Sequence, residues 1–156
     1  MHNNHSYEIQ VVWQGNRGSG TSGYRDYSRA HEVSAPGLQP IAGSADKTFH
    51  GDRERWNPEQ LLLAALTQCH MLSYLHQAVQ RGVVVVEYTD NSLGTMVTSG
   101  MGGAFTEAVL RPRVVVAHED MREAALEAHA EASKNCFIAQ SVAFPVRHEP
   151  VIEVAA

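Results

Sequence analysis

The sequence predicts an α+β fold, and the order of helix-like and strand-like segments along the chain supports this prediction. Two segments, residues 57–82 and 119–134, have the composition and end residues of helices. Five others have the apolar patterns of strands, at residues 7–13, 24–33, 83–97, 104–117 and 144–154. Antiparallel hairpins combined with two helices are typical of an α+β protein and not of a doubly wound sheet. At this length, we expect a single domain that covers residues 1–156.

The first third of the chain is predicted to hold a β-hairpin followed by a long loop. Residues 7–13 alternate in polarity, and the glycine-rich segment "GNRGSGTSG" leads to a second strand at residues 24–33. Residues 36–56 carry turn residues and charges without a period. A loop of about twenty residues is unusual in a compact domain, so we expect it to cover a functional site.

The central helix has clear end residues. Asn57 suits the N-cap and Pro58 the first turn, while Arg81 and Gly82 suit the last turn and the C-cap. Two long strands joined by "TSGMGG" should follow, since the glycines of that segment permit a tight hairpin turn. The second helix, its short apolar continuation "CFIAQSV" and a last strand complete the chain.

Composition excludes several classes of partner. The chain has 12 Lys and Arg residues against 17 Asp and Glu residues, a net charge of −5, and no basic run, which argues against nucleic acid. No apolar run approaches the roughly 20 residues that cross a bilayer. The start "MHNNHSYEIQ" is polar and unlike a signal peptide. We therefore expect a cytoplasmic protein without a membrane partner, whose cysteines are kept reduced.

Cys69 and Cys136 are the candidate reactive thiols. Cys69 lies on a stripe of the central helix that also holds Leu62, Ala65, Leu72 and His76. A thiolate in mid-helix needs a nearby cation, because it gains little from the helix dipole. Cys136 follows the second helix, where exposed amides and Lys134 favour a thiolate. Core packing explains Cys69 equally well, and the 67 positions between the two cysteines exclude a local Cys-x-x-Cys motif.

Other chemistries receive less support from the spacing of residues. His70 and His76 are six positions apart, which turns them about 240° from each other, so we expect no metal site. The segment around Arg17 lacks both the dinucleotide and the Walker patterns, so support for phosphate binding is weak and no cofactor is expected. A cysteine hydrolase with Cys69 or Cys136 as the nucleophile and a histidine as the base stays open.

Three segments, "WQGNRGSGT", "NPEQLLLAALTQCH" and "ASKNCFIAQSV", together resemble the OsmC/Ohr family of osmotically induced and organic hydroperoxide resistance proteins. The resemblance implies a two-layer α+β fold with antiparallel sheets, a long central helix that carries Cys69, and an intertwined homodimer. It also implies a stress-response peroxidase in which Cys69 attacks the peroxide and Cys136 resolves the sulfenic acid. Glu59 and Arg17 would then support the thiolate. The implied partners are an organic hydroperoxide and a dithiol reductant, for which a lipoyl group is a candidate.

Four residues leave alternatives open. Phe137 stands where members of the family commonly have proline, which weakens the resolving role of Cys136. Arg25 and Arg29 offer alternatives to Arg17 at the thiolate, and His70 is expected in a core or an interface. The alternative function is a non-enzymatic OsmC-like domain that binds an apolar ligand or acts as a thiol redox sensor.

The spacing of Glu59 and Cys69 bears on assembly. Ten residues along one helix separate two positions by about 15 Å and turn them about 80° apart. If one peroxide needs both groups, the carboxylate beside a given Cys69 must come from a second copy, related by a two-fold axis. We expect Arg17 to be supplied by that second copy together with Glu59.

Overall fold

The computed structural model describes residues 2–156. They contain nine strands and two α-helices. The mixture of small sheets and two helices confirms the α+β fold class. The chain divides into two compact units, with the boundary between Leu61 and Leu62. We call the earlier part unit 1 and the later part unit 2. The single domain expected from the sequence stays a prediction.

Unit 1 contains one antiparallel sheet in the order β1-β2-β3. Its strands are β1 (Gln10–Trp13), β2 (His31–Ser34) and β3 (Ile41–Gly43). The predicted hairpin is present, but β2 begins later than predicted and β3 was not predicted at all. The guanidinium of Arg29 explains the late start, because it donates to the Tyr24 and Tyr27 carbonyls and holds that segment in a bend. Gly15 passes so close to this bend that a Cβ there would lie 1.8 Å from the Ser28 carbonyl oxygen.

Unit 2 contains two three-stranded sheets, in the orders β4-β7-β9 and β5-β6-β8. The strands are β4 (Val85–Asp90), β5 (Leu93–Ser99), β6 (Gly102–Leu110), β7 (Pro112–Val116), β8 (Val146–His148) and β9 (Val151–Val154). The predicted antiparallel pairing holds for β4 with β7 and for β5 with β6. It does not hold for β8 and β9, which pair in parallel with β6 and β7. Both strands follow the second helix, which supplies the crossover that a parallel pair requires.

Asp90 lies where both predicted long strands are interrupted. Its Oδ1 accepts hydrogen bonds from the Ser92 hydroxyl at 2.7 Å and from the Arg111 amide at 2.8 Å. The predicted strand at residues 83–97 breaks between β4 and β5, and the one at 104–117 breaks at Arg111. Each predicted strand therefore becomes two strands that belong to different sheets.

The helices are α1 (Pro58–Gln80) and α2 (Arg122–Lys134). Asn57 caps α1 reciprocally with Gln60: the Asn57 Oδ1 accepts from the Gln60 amide at 2.8 Å, and the Gln60 Oε1 accepts from the Asn57 amide at 3.1 Å. Gly82 follows the helix with a φ of 67°, the left-handed conformation of a C-cap glycine. The predicted bounds of this helix therefore agree closely with the structure.

The hydrophobic core of unit 2 lies between α1, α2 and β7. Its buried members are Tyr74, Ala78, Val83, Val114, Val116, Ala125, Ala128 and Ala132. Three alanines on one face of α2 allow the helix to pack closely. The Tyr74 hydroxyl donates to the Ala125 carbonyl at 2.9 Å, so the large ring is buried without an unpaired polar atom. Within residues 2–156, no helix is long and apolar enough to span a lipid bilayer.

Candidate active site

Cys69 and Cys136 are neighbours in unit 2. Cys69 is half-buried on α1, and Cys136 is buried just after the end of α2. Both thiols are free. The pKa of the Cys136 thiol is raised to about 11. Burial is the main cause, and a hydrogen bond with the Cys69 side chain is the second. The structure thus brings together two of the four residues predicted for the site.

The backbone after α2 explains the position of Cys136. The amides of Ala139 and Ile138 donate to its sulfur and lower its pKa, but burial and Cys69 outweigh them. Lys134, expected to favour a thiolate here, forms an ion pair with Glu131 at 2.9 Å instead. Cys136 therefore stays a protonated thiol at neutral pH, which makes it a poor first nucleophile.

Phe137 occupies the position of the missing proline. Its side chain is 82% exposed, and its carbonyl accepts from the Ser141 hydroxyl at 2.8 Å. The short 3-10 helix of this segment begins only at Ala139. A proline is not needed to start a helical turn beside Cys136, so the departure at Phe137 leaves the thiol in place.

Glu59 and the candidate arginines belong to unit 1. The Glu59 Oε2 is buried and has no hydrogen-bond partner among residues 2–156. Glu59 lines an apolar pocket of about 430 Å³ together with Trp13, Tyr27, Arg29 and Phe49. Of the three candidate arginines, Arg29 is the one that shares this pocket with Glu59.

Arg17 and Arg25 line a different pocket of unit 1. That pocket has a volume of about 790 Å³ and also contains Tyr27 and Arg29. Arg17 is exposed, and its Nη1 donates to the Arg25 carbonyl at 3.3 Å. The structure therefore does not place Arg17 in the Glu59 pocket, while Arg29 lines both pockets.

Unit 2 contains a cluster of three histidines, in which His70 and His129 are buried and His148 is half-buried. The Nε2 of His70 is 3.0 Å from the Nδ1 of His129, and the ring of His148 is centred 4.3 Å from that of His70. Burial lowers the pKa of His70 to about 3 and that of His129 to about 4, and the charge of His148 adds to both shifts. The expectation of a core position for His70 agrees with this burial. His129 and His148 were not predicted, because no local pattern links residues so far apart in the chain.

Within the described residues, 2–156, no three His, Cys, Asp or Glu side chains are grouped so that they could hold a metal ion. Two nitrogens of the histidine cluster, Nδ1 of His70 and Nε2 of His129, are buried without a partner among those residues. We therefore treat the cluster as part of the packed interior of unit 2.

The family model described as "OsmC-like protein" matches residues 50–150. The chain belongs to this family. This assignment confirms the resemblance seen in the sequence. The match includes Glu59, Cys69 and Cys136, and it begins after the three arginines.

Solved structures agree with the OsmC-like assignment. An OsmC-like protein of unknown function from Vibrio cholerae O1 is 30% identical, with a TM-score of 0.85 over 95% of this chain and 100% of that one. An organic hydroperoxide resistance protein OsmC from Legionella pneumophila is 14% identical, with a TM-score of 0.67 over 97% and 99% of the two chains. One from Elizabethkingia anophelis is 12% identical, with a TM-score of 0.69 over 99% and 100%. The last two show a shared fold. A search of curated proteins gave no match.

Proposed function

We propose that this OsmC-like protein is a thiol-dependent peroxidase that reduces organic hydroperoxides through Cys69 and Cys136. The observation that carries the proposal is the contact between a half-buried thiol and a buried one, both reduced. Two thiols within hydrogen-bonding reach of each other are placed to form a disulfide once one of them is oxidised. The names of the Legionella and Elizabethkingia proteins point to the same chemistry in proteins of this fold.

The proposed reaction has three balanced steps. The Cys69 thiolate attacks the terminal oxygen of the hydroperoxide, the O–O bond breaks, and the alkoxide takes up a proton to leave as an alcohol. The Cys136 sulfur then attacks the Cys69 sulfenic acid; the S–S bond forms, the S–O bond breaks and water leaves. An external dithiol, for which a lipoyl-type group is a candidate, reduces the disulfide. The sum is hydroperoxide plus dithiol giving alcohol, water and oxidised dithiol.

We also propose that the active assembly is a homodimer in which the partner copy supplies Glu59 and an arginine. Unit 1 supports this, because Trp13, Phe49 and Trp56 are each about half exposed there. Leu72 and Val79 on α1 are exposed as well, at 61% and 75%, and would suit a helix pair. Such surfaces are typical of proteins that bury them against a second chain.

The arginine of the proposed site stays a choice among three residues. We predict Arg17 from the sequence, Arg25 lines the same basic pocket as Arg17, and Arg29 shares a pocket with Glu59. If Arg17 supports the thiolate, Arg17→Gln lowers kcat/KM for hydroperoxide and the same substitution at Arg25 or Arg29 does not. A loss in Arg25→Gln alone or in Arg29→Gln alone assigns the role to that arginine, and Arg81→Gln on the exposed surface of unit 2 is the charge control.

A steady-state assay tests the proposal as a whole. With dihydrolipoamide as reductant, we expect cumene or tert-butyl hydroperoxide to be consumed much faster than hydrogen peroxide. Burial of an alkyl group in an apolar site contributes about 0.8 kcal/mol of binding free energy per CH₂. Cys69→Ser should abolish turnover, and Cys136→Ser should give one burst followed by overoxidation. Full turnover in Cys69→Ser would overturn the mechanism.

A non-enzymatic OsmC-like function is the second candidate, favoured by the apolar pocket of about 430 Å³ beside Glu59. A domain of this kind would bind an apolar ligand or sense oxidants through its thiols. It predicts oxidation of Cys69 and Cys136 without repeated turnover, whatever dithiol is supplied. Multiple turnovers per chain with a dithiol would exclude it.

A further inference from the structure

The larger pocket of unit 1 carries more positive charge than the peroxidase chemistry needs. It has a volume of about 790 Å³, within the range of pockets that hold small molecules. Its cationic side chains are Arg17, Arg25, Arg29, Lys47 and Arg53. Against these five it has two carboxylates, Asp52 and Glu54, which leaves an excess of three positive charges. This excess stands out in a chain with a net charge of −5.

The cations of this pocket are free of ion pairs. Among residues 2–156, every carboxylate within 4.0 Å of an arginine or lysine lies in unit 2. Asp52 instead accepts from the Glu54 amide at 2.9 Å. The pKa of Asp46 is lowered first by its hydrogen bonds from Thr48, and Arg53 contributes the smallest part from a longer range. The positive charge of the pocket is therefore available to a ligand.

Two guanidinium groups of the pocket are held in position by backbone carbonyls. Arg17 donates from Nη1 to the Arg25 carbonyl, and Arg29 donates from Nη1 to the Tyr24 carbonyl at 2.6 Å and the Tyr27 carbonyl at 3.1 Å. Arg29 also lies over the Tyr27 ring, 4.1 Å from its centroid. Among residues 2–156, the remaining nitrogens of these two groups have no hydrogen-bond acceptor, and a guanidinium fork fits the oxygens of a phosphate or carboxylate.

The apolar pocket beside Glu59 adjoins this charged pocket. Tyr27, Arg29 and Ser44 line both. A ligand with a charged head and an apolar body can therefore fill the two together. The apolar pocket has two carboxylates of its own, Asp46 and Glu59, so the anionic end of such a ligand belongs in the charged pocket. There the excess of three positive charges favours a phosphate monoester, which is close to a dianion at neutral pH, over a singly charged carboxylate.

We infer that unit 1 binds an organic phosphate monoester, with the phosphate among Arg17, Arg25, Arg29, Lys47 and Arg53 and the alkyl or aryl group in the apolar pocket. The apolar pocket and Arg29 are shared with the proposed peroxidase site, but the binding needs no thiol and does not rest on the peroxidase proposal. It is therefore tested in the Cys69→Ser chain, where a failure of the peroxidase chemistry cannot affect the result.

Titration calorimetry on the full-length Cys69→Ser protein provides the test. Phenyl phosphate should bind about tenfold or more tightly than phenylacetate or inorganic phosphate, because only phenyl phosphate supplies both the dianion and the ring. Adding Arg25→Gln or Lys47→Gln should weaken phenyl phosphate about tenfold, the loss of one charge-assisted hydrogen bond. Arg81→Gln removes one positive charge from an exposed residue of unit 2 and should leave the Kd unchanged.

Three results would overturn the inference. Equal affinity for phenylacetate and phenyl phosphate would remove the preference for a dianion. An unchanged Kd in both Arg25→Gln and Lys47→Gln would place the binding elsewhere. Sedimentation with phosphatidic acid vesicles in the absence of phenyl phosphate binding would assign the charge to a lipid surface instead of a soluble monoester.

Discussion

The two units of the chain differ in how they satisfy their apolar and charged side chains. The buried large apolar residues, such as Leu66, Tyr74, Leu110 and Val114, all belong to unit 2. The ion pairs of the described residues lie there too, with Arg113 between Glu87 and Glu153 as one example. Unit 2 therefore contains both the apolar core and the ion pairs of the described residues.

Unit 1 shows the opposite pattern. Its fully buried residues in the described chain are Gly15, Gly43 and Ser44, none of them a large apolar residue. Its strand β1 is exposed along its whole length, and Tyr7, Tyr24 and Leu38 are 69% exposed or more. A segment of about sixty residues that buries so little has no core with which to stabilise itself. The difference indicates that unit 2 provides the stable scaffold and that unit 1 offers groups for binding.

The largest expected effect is on peroxidase activity, when one copy of the chain carries a mutation in unit 1 and the other copy carries a mutation in unit 2. A Cys69→Ser chain coexpressed with a Glu59→Ala chain should give a mixed dimer with about half of wild-type peroxidase activity, since one of two sites regains both groups. Activity is measured on the purified mixed dimer with cumene hydroperoxide. Cys69→Ser with Glu54→Ala is the matched control that defines half activity. A mixed dimer no more active than its parents would show that Glu59 and Cys69 act within one copy.

Truncation of one leucine in each unit should have very different effects on the free energy of unfolding. Leu110 in β6 is 1% exposed, so Leu110→Ala should lower the free energy of unfolding by about 2–5 kcal/mol. Leu38 is 69% exposed, and Leu38→Ala should change the free energy of unfolding by no more than about 0.5 kcal/mol. Urea denaturation followed by circular dichroism measures both. Similar losses of stability in the two variants would contradict the view that unit 2 alone provides the stable scaffold.

Acidification should destabilise unit 2 through its buried histidines. The pKa of His70 is lowered from 6.5 to about 3 and that of His129 to about 4, both first by burial. Below pH 6.5 these histidines bind protons in the unfolded chain but stay neutral in the folded chain. The free energy of unfolding therefore falls as the pH decreases toward the folded pKa values. The limiting slope is about 1.4 kcal/mol per pH unit for each histidine.

Urea midpoints between about pH 7.5 and 5.5 measure this slope. His70→Phe combined with His129→Leu should flatten it, even if that variant is less stable at every pH. His76→Gln on the exposed side of the same helix is the control and should keep the wild-type slope. An unchanged slope in the double variant would contradict the role of the cluster.

The smallest expected effect concerns the exposed ion pairs. Arg113→Gln removes pairs with Glu87 and Glu153 and should lower the thermal midpoint slightly at low salt and not at all at high salt. Arg25→Gln in unit 1 removes no ion pair and should leave the midpoint unchanged at both. A salt-sensitive loss in Arg25→Gln would mean that this arginine is paired in solution.

The parts of the fold that follow from local sequence could be predicted. Helix α1 begins and ends as expected because its caps, Asn57 with Gln60 and Gly82 with its positive φ, are set by residues next to it. The family assignment came from motifs, and the expected proximity of Cys69 and Cys136 came with it. The roles of Arg17 and Glu59 stay predictions. The cysteines themselves carry no local pattern that would bring them together across the chain.

Features that depend on distant residues could not be predicted. The two strand breaks meet at Asp90, whose partner Arg111 lies 21 positions later. The pairing of His70 with His129 joins residues 59 positions apart. Strand β3 is three residues long and has no pattern of its own, so its pairing with β2 defines it. In each case a tertiary contact determines a local structure that periodicity cannot reveal.

The absence of a large buried residue from the first part of the described chain also affects synthesis. Unit 1 is translated before unit 2, which carries the side chains that form the core. At roughly 5–20 residues per second, unit 2, Leu62–Ala156, takes on the order of 5–20 s to be made. During that interval the aromatic side chains of the early segment are exposed on a chain that cannot yet fold. Nascent chains of this protein should therefore associate with holdase chaperones until α2 and the last strands have been made.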